Sequence, residues 1–185
     1  MVGVGAIGSR TAEVGQALGM RVIGVRRNPQ RPDPSMRQMV GSDQLARAWP
    51  EADFVALVTP LTNETRGMIG SQELEVMKKS AFIINVGRGT VMDESALTLA
   101  LQKDQIAGAG LDTFEVEPLA DSSPLWKMDN VIITCHYASL SPGYHERAMA
   151  LFLDNLGRDA TGKLNGLLNK LNAHDLQTGR YHCPL

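Results

Sequence analysis

Short apolar runs that alternate with helical patterns constrain this sequence more than any other feature. Runs rich in β-branched or small apolar residues predict buried strands at residues 20–25, 53–58, 80–86, 106–112 and 130–135. Amphipathic patterns between them predict helices at residues 6–18, 42–49, 71–79 and 93–103. Alternation of strands and helices favours a parallel sheet. We therefore predict a doubly wound α/β fold with helices on both faces of the sheet.

A glycine motif at the start of the chain has the spacing typical of dinucleotide phosphate binding. Gly3, Gly5 and Gly8 form G-x-G-x-x-G, followed by a predicted helix and strand. The glycines provide a tight turn and close backbone approaches, and the helix N-terminus attracts phosphates. Only two residues precede the motif, so we predict a Rossmann-type βαβ unit whose first strand is truncated. The residues expected to bind the cofactor here are Gly5, Ala6, Ile7 and Gly8.

Two arginines stand where many NAD sites have an acidic residue. That acid lies roughly 20 residues after the glycines and binds the ribose 2′-hydroxyl. The stretch "VIGVRRNP" places Arg26 and Arg27 there, whereas Asp33 follows two prolines and comes too late in the sequence. Because guanidinium groups pair with phosphate, we expect NADP(H) to be preferred, with NAD(H) as the alternative. The competing interpretation is two solvated arginines on a surface loop.

Polar residues follow three of the predicted strands at their carboxyl ends. "SAFIINVGRGT" delivers Arg88, "IAGAGLDTFEVEP" delivers Glu117, and "NVIITCHYA" delivers His136. Ligands of open α/β sheets bind outside the carboxyl ends of the strands. We therefore expect these three side chains to meet at the edge that also carries the glycine motif.

An arginine, a glutamate and a histidine are the groups that hydride transfer to a 2-oxo acid requires. Histidine can protonate the carbonyl oxygen, and a carboxylate bound to the histidine favours its charged form. A guanidinium can hold the substrate carboxylate. Each residue also has a structural alternative: a loop salt bridge for Arg88, a turn residue for Glu117, and a satisfied buried side chain for His136.

The ordered motifs of this chain resemble those of the D-isomer-specific 2-hydroxyacid dehydrogenases. The motifs are "GVGAIG", "PLTNETRG", "INVGRGTVMDESAL", "AGAGLDTFEVEPL" and "NVIITCHYA", and "VRRNP" and "HYASLSPGY" resemble the glyoxylate/hydroxypyruvate reductase branch. The resemblance implies that Arg88 binds substrate, that His136 is the acid/base and that Glu117 pairs with it. It also implies a homodimer through the cofactor domain, a small 2-oxo acid substrate, and further cofactor-binding residues: Pro60, Thr65, Val86, Gly87, Asp112 and Ala138.

The chain departs from the family pattern in two places. Cys135 stands immediately before His136, where the family usually has proline. The chain also resembles only the cofactor domain and the helix that returns to the substrate domain. We therefore expect a dinucleotide-binding domain over residues 1–140, and a crossover helix and tail over residues 141–185. The helix is predicted to start at Ser141 and Pro142 and to end near Gly162.

Net charge and cysteine content indicate which classes of partner and ligand are not expected. The net charge is −2 with scattered basic residues, so we expect no nucleic-acid or membrane partner. Cys135 and Cys183 form no metal-ligand spacing and no disulfide framework, which is typical of a reducing, cytoplasmic compartment. No metal site is expected.

Two functions of different class fit these observations. The first is a reductase of small 2-oxo acids of the glyoxylate or hydroxypyruvate type. The second is a nucleotide-binding module with little or no catalysis, either a truncated product or a regulatory dinucleotide sensor. Proximity and exclusion of water account for much of an oxidoreductase's rate, so separate measurements of binding and turnover discriminate between them.

Overall fold

The computed structural model describes residues 1–163 and 166–168. By its internal contacts the chain divides into two compact units, Met1–His136 and Tyr137–Leu185. Much of the tail of the predicted 141–185 segment, including Cys183, lies outside the described residues.

The first unit alternates strands and helices in the predicted manner. Its elements are α1 (Ala6–Ala17), β1 (Ile23–Arg26), β2 (Gln38–Gly41), α2 (Leu45–Ala48), β3 (Phe54–Leu57), α3 (Ser71–Glu75), β4 (Phe82–Asn85), α4 (Glu94–Gln102), β5 (Gly108–Leu111) and β6 (Val131–Ile133). Single 3-10 turns lie at Ser42–Gln44, Trp49–Glu51, Gly89–Val91 and Pro124–Lys127. In the second unit, α5 spans Tyr144–Ala160.

Val2 joins two groups of parallel strands into one sheet. β1 pairs with β2, and β3, β4, β5 and β6 pair in that order, all in parallel. Val2 forms parallel bridges to Val25 on one side and to Leu57 on the other. Its N–H donates to the Ala56 carbonyl at 2.8 Å, and its own carbonyl accepts from Val58 at 2.9 Å. The sheet order is therefore β2, β1, the Val2 segment, β3, β4, β5, β6, which confirms the predicted Rossmann-type fold.

Apolar side chains pack on both faces of this sheet. Successive strand residues point to opposite faces. Val25 belongs to the main buried cluster, which also takes in Trp49 and Leu97 from the helical layer. Gly24, one residue earlier, faces the smaller cluster of Val4, Ala12 and Met36, to which α1 contributes. The two clusters therefore lie on opposite faces of the sheet. On the face of the smaller cluster, Phe54, Phe82 and Ile132 of β3, β4 and β6 remain exposed.

One strand was missed, and two helix predictions were wrong. β2 was not predicted, because its four residues follow a proline-rich loop and show no clear alternation. The helix predicted at 42–49 is broken into a 3-10 turn, the four-residue α2 and a second 3-10 turn that contains Pro50. The helix predicted at 71–79 ends at Glu75, after which turns lead into β4.

The long helix α5 starts later than predicted. Its first residue is Tyr144, and its N-cap Gly143 adopts a φ of 74°. This left-handed conformation favours glycine and ends the preceding turn before the helix begins. Within the described residues, no helix is long and apolar enough to cross a membrane.

Gly89 is expected to be intolerant of any side chain. A Cβ built there would lie 1.9 Å from the Phe114 carbonyl carbon and oxygen. We expect Gly89→Ala to lower the free energy of unfolding by about 2 kcal/mol or more, because two backbone segments must move apart. Chemical denaturation monitored by circular dichroism measures this loss.

Gly110→Ala in β5 is the matched control. Its Cβ would make ordinary contacts with Ile84, the nearest at 3.7 Å. We expect this variant to be as stable as the parent or more stable by up to about 1 kcal/mol. Equal stability of the two variants would contradict the close approach at Gly89.

Candidate functional site

The glycine motif forms an open cradle at the N-terminus of α1. Gly5 is the N-cap, and, apart from its neighbours in the chain, no atom of the described residues lies within 4 Å of the position that its Cβ would take. Gly8 packs so closely that its Cβ would lie 2.0 Å from the Gly3 carbonyl oxygen. Ala6 and Ile7 are exposed on the first turn, where backbone N–H groups lack intrahelical partners. Open space above the positive end of a helix fits a pyrophosphate.

Thr59 connects this cradle to the loop that carries Arg88. A Cβ on Gly3 would lie 2.9 Å from the Thr59 nitrogen, and one on Gly87 would lie 2.9 Å from the Thr59 carbonyl oxygen. The Thr59 hydroxyl is buried and has no hydrogen-bond partner among the described residues. The turns after the Val2 segment, β3 and β4 therefore adjoin one another at a single edge of the sheet. In α/β sheets this edge binds ligands where the strand order reverses.

The Asn85 side chain holds the backbone of the Arg88 loop by two hydrogen bonds. Its side chain is fully buried at the end of β4. Its Nδ2 donates to the Arg88 carbonyl at 3.1 Å, and its Oδ1 accepts from the Gly87 N–H at 3.0 Å. Two hydrogen bonds from Asn85 therefore hold the loop. The Arg88 guanidinium is exposed and, among the described residues, donates a hydrogen bond only to the neighbouring Gly87 carbonyl.

Glu117 and His136 form a hydrogen-bonded pair on this edge. His136 Nδ1 lies 2.7 Å from Glu117 Oε2, and the two side chains are 42% and 36% exposed. The other carboxylate oxygen of Glu117 accepts from the Phe114 N–H at 3.0 Å. His136 has a φ of 54°, so it turns away from the path of β6. The interpretation of His136 as a buried structural residue was wrong, because its ring is accessible.

The charges around Glu117 keep its carboxyl ionised. Burial raises the pKa of Glu117 and is the largest single influence on it. Hydrogen bonds from His136 and Phe114, together with the charges of His136 and Arg88, outweigh burial and hold this pKa below its ordinary value. The ionised carboxylate accepts a hydrogen bond from the imidazole and orients its ring, so the pair suits a histidine that gives and takes a proton.

Asp112 is buried just beyond β5. It is 3% exposed, and its Oδ1 accepts from the Thr134 hydroxyl at 2.6 Å. Its N–H donates to the Asn85 carbonyl at 2.9 Å, which ties the ends of β4 and β5 together. Val86, predicted to flank a nicotinamide, is 37% exposed directly after β4. Thr134 thus orients the Asp112 carboxylate, which the family resemblance implied as a cofactor contact.

The predicted adenosine side is formed by the turn after β1 and the loop after β3. Arg27 Nη2 lies 2.5 Å from Glu64 Oε2, in the loop that also contains Pro60 and Thr65. The Thr65 hydroxyl donates to the Pro60 carbonyl at 2.7 Å, so these two predicted residues lie together. Arg26 is half-buried at the end of β1.

Asp33 lies closer to the glycine helix than its place in the sequence suggested. The Ser9 hydroxyl, in α1, donates to Asp33 Oδ2 at 2.6 Å. Hydrogen bonds from the Ser35 and Ser9 hydroxyls, with a smaller effect of the Arg26 charge, hold the pKa of Asp33 below its ordinary value. The proline-rich loop therefore folds back onto α1 and brings a carboxylate near Arg26.

The structure places most predicted site residues along one edge of the first unit. Ala138 is the exception, since it lies in the second unit. Asp33 was considered and set aside as too late in the sequence, whereas four other residues that support the site were missed, namely Thr59, Glu64, Asn85 and Thr134. Asn85 alone had a local signal, a polar residue at the end of the apolar run "SAFIIN". Within residues 1–163 and 166–168, no group of three or more His, Cys, Asp or Glu side chains could hold a metal ion.

The hydrogen-bonded pair of His136 and Glu117 predicts that replacing His136 changes the pKa of the Glu117 carboxyl. We expect the Glu117 carboxyl to titrate below its ordinary pKa in the parent, and at higher pH in His136→Gln, because the positive charge of the imidazole is lost. Carbon-detected NMR of the labelled carboxyl gives both midpoints. The pair's contribution to stability is present at neutral pH and is lost as the pH falls through the lowered pKa.

His145→Gln on α5 provides a control for this titration. It removes an imidazole of the second unit that packs edge-on against Tyr144. We expect it to leave the Glu117 midpoint unchanged. Equal midpoints in the parent and in His136→Gln would contradict the coupling.

Curated relatives share this chain's sequence over much of its length. The glyoxylate reductase of Aeropyrum pernix is 40% identical over 166 residues, which cover 89% of this chain and 49% of the relative. The glyoxylate/hydroxypyruvate reductase B of an Enterobacter species is 48% identical over 126 residues, 67% of this chain and 38% of the relative. The chain spans about half the length of the first of these relatives and less of the second.

Solved structures and a family profile agree with these relatives. A D-isomer specific 2-hydroxyacid dehydrogenase from Xanthobacter autotrophicus, in complex with NADPH and MES, superposes with a TM-score of 0.80 at 36% identity over 87% of this chain and 65% of that one. An NADPH-dependent glyoxylate/hydroxypyruvate reductase from Sinorhizobium meliloti, in complex with NADP and sulfate, gives a TM-score of 0.80 at 28% identity over 87% and 51%. The profile described as D-isomer specific 2-hydroxyacid dehydrogenase, NAD binding domain, matches residues 1–138. The chain therefore belongs to the D-isomer specific 2-hydroxyacid dehydrogenase family, and residues 1–138 correspond to that family's NAD-binding domain.

Proposed function

We propose that this chain carries the cofactor site and the proton-transfer residues of an NADP(H)-dependent reductase of small 2-oxo acids, of the glyoxylate or hydroxypyruvate type. The observation that carries the proposal is the 2.7 Å pair of His136 and Glu117, on the edge that also holds Arg88 and the glycine cradle. Relatives named as glyoxylate and glyoxylate/hydroxypyruvate reductases support the substrate class. When bound, the nicotinamide ring supplies or accepts the hydride.

His136 is assigned the proton transfer. Its Nδ1 is engaged by Glu117, which leaves Nε2 as the ring nitrogen to protonate the carbonyl oxygen of the substrate. Glu117 fixes the orientation of the ring by accepting the hydrogen bond from Nδ1. In the oxidative direction Nε2 takes the proton back from the hydroxyl.

Arg88 is assigned the substrate carboxylate. Its guanidinium is exposed and uses Nη1 for the Gly87 carbonyl, so other N–H donors remain for an anion. A charge-assisted hydrogen bond orients the 2-oxo group and polarises the carbonyl. Asn85 maintains this placement through its two bonds to the loop.

The cofactor preference rests on Arg26 and Arg27. Arg26 is the last residue of β1, and Arg27 follows it. A ribose 2′-phosphate would lie beside them if the pyrophosphate occupies the Gly5 cradle. Two structural neighbours carry NADPH or NADP, which supports NADP(H) as the preferred cofactor and NAD(H) as the second. A cytoplasmic location is proposed with this function, since Cys135 is an exposed free thiol, which suits a reducing compartment.

Binding and turnover of the 185-residue chain test the proposal separately. We expect oxidation of NADPH by glyoxylate and by hydroxypyruvate, with His136→Gln lowering kcat by about 100-fold or more. Arg88→Lys is expected to raise the KM for the 2-oxo acid by about tenfold or more, because a fork of donors is lost. Initial rates at saturating NADPH measure both effects.

The alternative function is an outcome of the same assays. NADPH binding without turnover by the chain would favour a nucleotide-binding module. Wild-type kcat in His136→Gln would contradict the assigned acid, and His145→Gln serves as the control that retains activity. A preference for NADH in binding would contradict the role given to Arg26 and Arg27.

A homodimer is proposed for the same chain. Phe54, Phe82 and Ile132 are 54%, 40% and 72% exposed and share one face of the sheet. Large apolar side chains that remain exposed together are typical of interaction surfaces. Sedimentation equilibrium at micromolar concentration is expected to give the mass of a dimer, and a monomer throughout that range would contradict the proposal.

A further inference from the structure

Arg27 and Glu64 join two loops at the proposed adenosine end of the site. Arg27 directly follows β1, whereas Glu64 lies between β3 and α3. The Arg27 Nη2 to Glu64 Oε2 distance is 2.5 Å, and the side chains are 50% and 49% exposed. The guanidinium proposed to bind a 2′-phosphate therefore already has a carboxylate beside it.

The turn that carries Glu64 is held in place by its own hydrogen bonds. The Glu64 N–H donates to the Thr62 hydroxyl at 3.2 Å. The Thr62 N–H donates to the Thr65 hydroxyl at 2.8 Å, and that hydroxyl donates to the Pro60 carbonyl at 2.7 Å. Thr62 is 7% exposed, so the turn is anchored in the fold. Glu64 is thus presented to Arg27 by an ordered segment.

We propose that Glu64 is a specificity-determining residue that competes with the 2′-phosphate of NADP(H) for Arg27. The inference rests on the proposed function, in which Arg27 binds that phosphate. Glu64 weakens the binding of NADP(H) but not that of NAD(H). It thereby lowers the ratio of the affinity for NADP(H) to the affinity for NAD(H), so that NAD(H) can also be used.

Charge and geometry give the direction of this effect. A 2′-phosphate on Arg27 would lie within a few ångströms of the Glu64 carboxylate, and like charges at that range repel. A guanidinium donates the same pair of N–H groups to a carboxylate or to a phosphate, so the two anions are alternatives. A half-exposed ion pair is weak and opens readily, which makes Glu64 a moderate competitor. The uncharged 2′-hydroxyl of NAD(H) leaves the pair intact.

Adenosine ligands that lack nicotinamide isolate this effect from catalysis. We would measure binding of 2′,5′-ADP and of 5′-AMP to the full chain by isothermal titration calorimetry. In Glu64→Gln the Kd for 2′,5′-ADP is expected to fall by about threefold to fivefold, the range that loss of an exposed charge pair allows. The Kd for 5′-AMP is expected to change by less than about twofold.

Glu51→Gln is the matched control variant. Glu51 pairs with Arg21 at 2.5 Å and is 54% exposed, so this change removes the same charge and the same kind of ion pair. Arg21 precedes β1, at the opposite end of the strand from Arg27. We expect unchanged binding of both ligands in this variant, which excludes a general effect of net charge.

The outcomes separate this inference from the proposed function. Unchanged or weaker binding of 2′,5′-ADP by Glu64→Gln would overturn the inference, and weaker binding would mean that Glu64 positions Arg27. If Arg27→Gln loses the preference for 2′,5′-ADP over 5′-AMP, the proposed cofactor is supported, whatever the result with Glu64→Gln. Equal binding of the two ligands by the parent, Arg26→Gln and Arg27→Gln would instead overturn the proposed cofactor preference and the inference with it.

Discussion

The pairing of Val2 with strands on both sides is the interaction on which the rest of the structure depends. Val2 is 2% exposed and bridges Val25 and Leu57, so three backbone segments fix the register of the sheet. This register places the ends of β1 and β3 on either side of the glycine turn. The reversal of strand order at this point creates the crevice where α/β sheets bind ligands. A very short segment therefore determines where the cofactor site lies.

Close backbone contacts link the glycine cradle to the residues proposed to bind and protonate the substrate. Gly3 and Gly87 both lie against Thr59, and Gly89 lies against Phe114. Phe114 in turn donates its N–H to Glu117, which binds His136. Phosphate binding, substrate binding and proton transfer are thus assigned to loops in direct contact. The absence of side chains at three glycines is what permits these contacts.

The sequence was informative where chemistry depends on strand ends, and uninformative where it depends on loops. Arg88, Glu117 and His136 could be placed on one edge because parallel strands end together. β2 could not be found, since its four residues carry no periodic signal beside a proline-rich loop. The Arg27–Glu64 and Ser9–Asp33 contacts join residues far apart in sequence, and no local pattern specifies them. Asn85 was within reach, because a buried amide after an apolar strand requires partners.

The central claim is that the glycine cradle and the His136–Glu117 pair serve one bound dinucleotide. A crystal structure of the chain with NADPH tests it most directly. The account predicts the pyrophosphate at the backbone of Gly5 to Gly8 and the nicotinamide ring between Val86 and Asp112, beside His136. NADPH bound with its nicotinamide away from His136, or its phosphates away from the N-terminus of α1, would contradict the account.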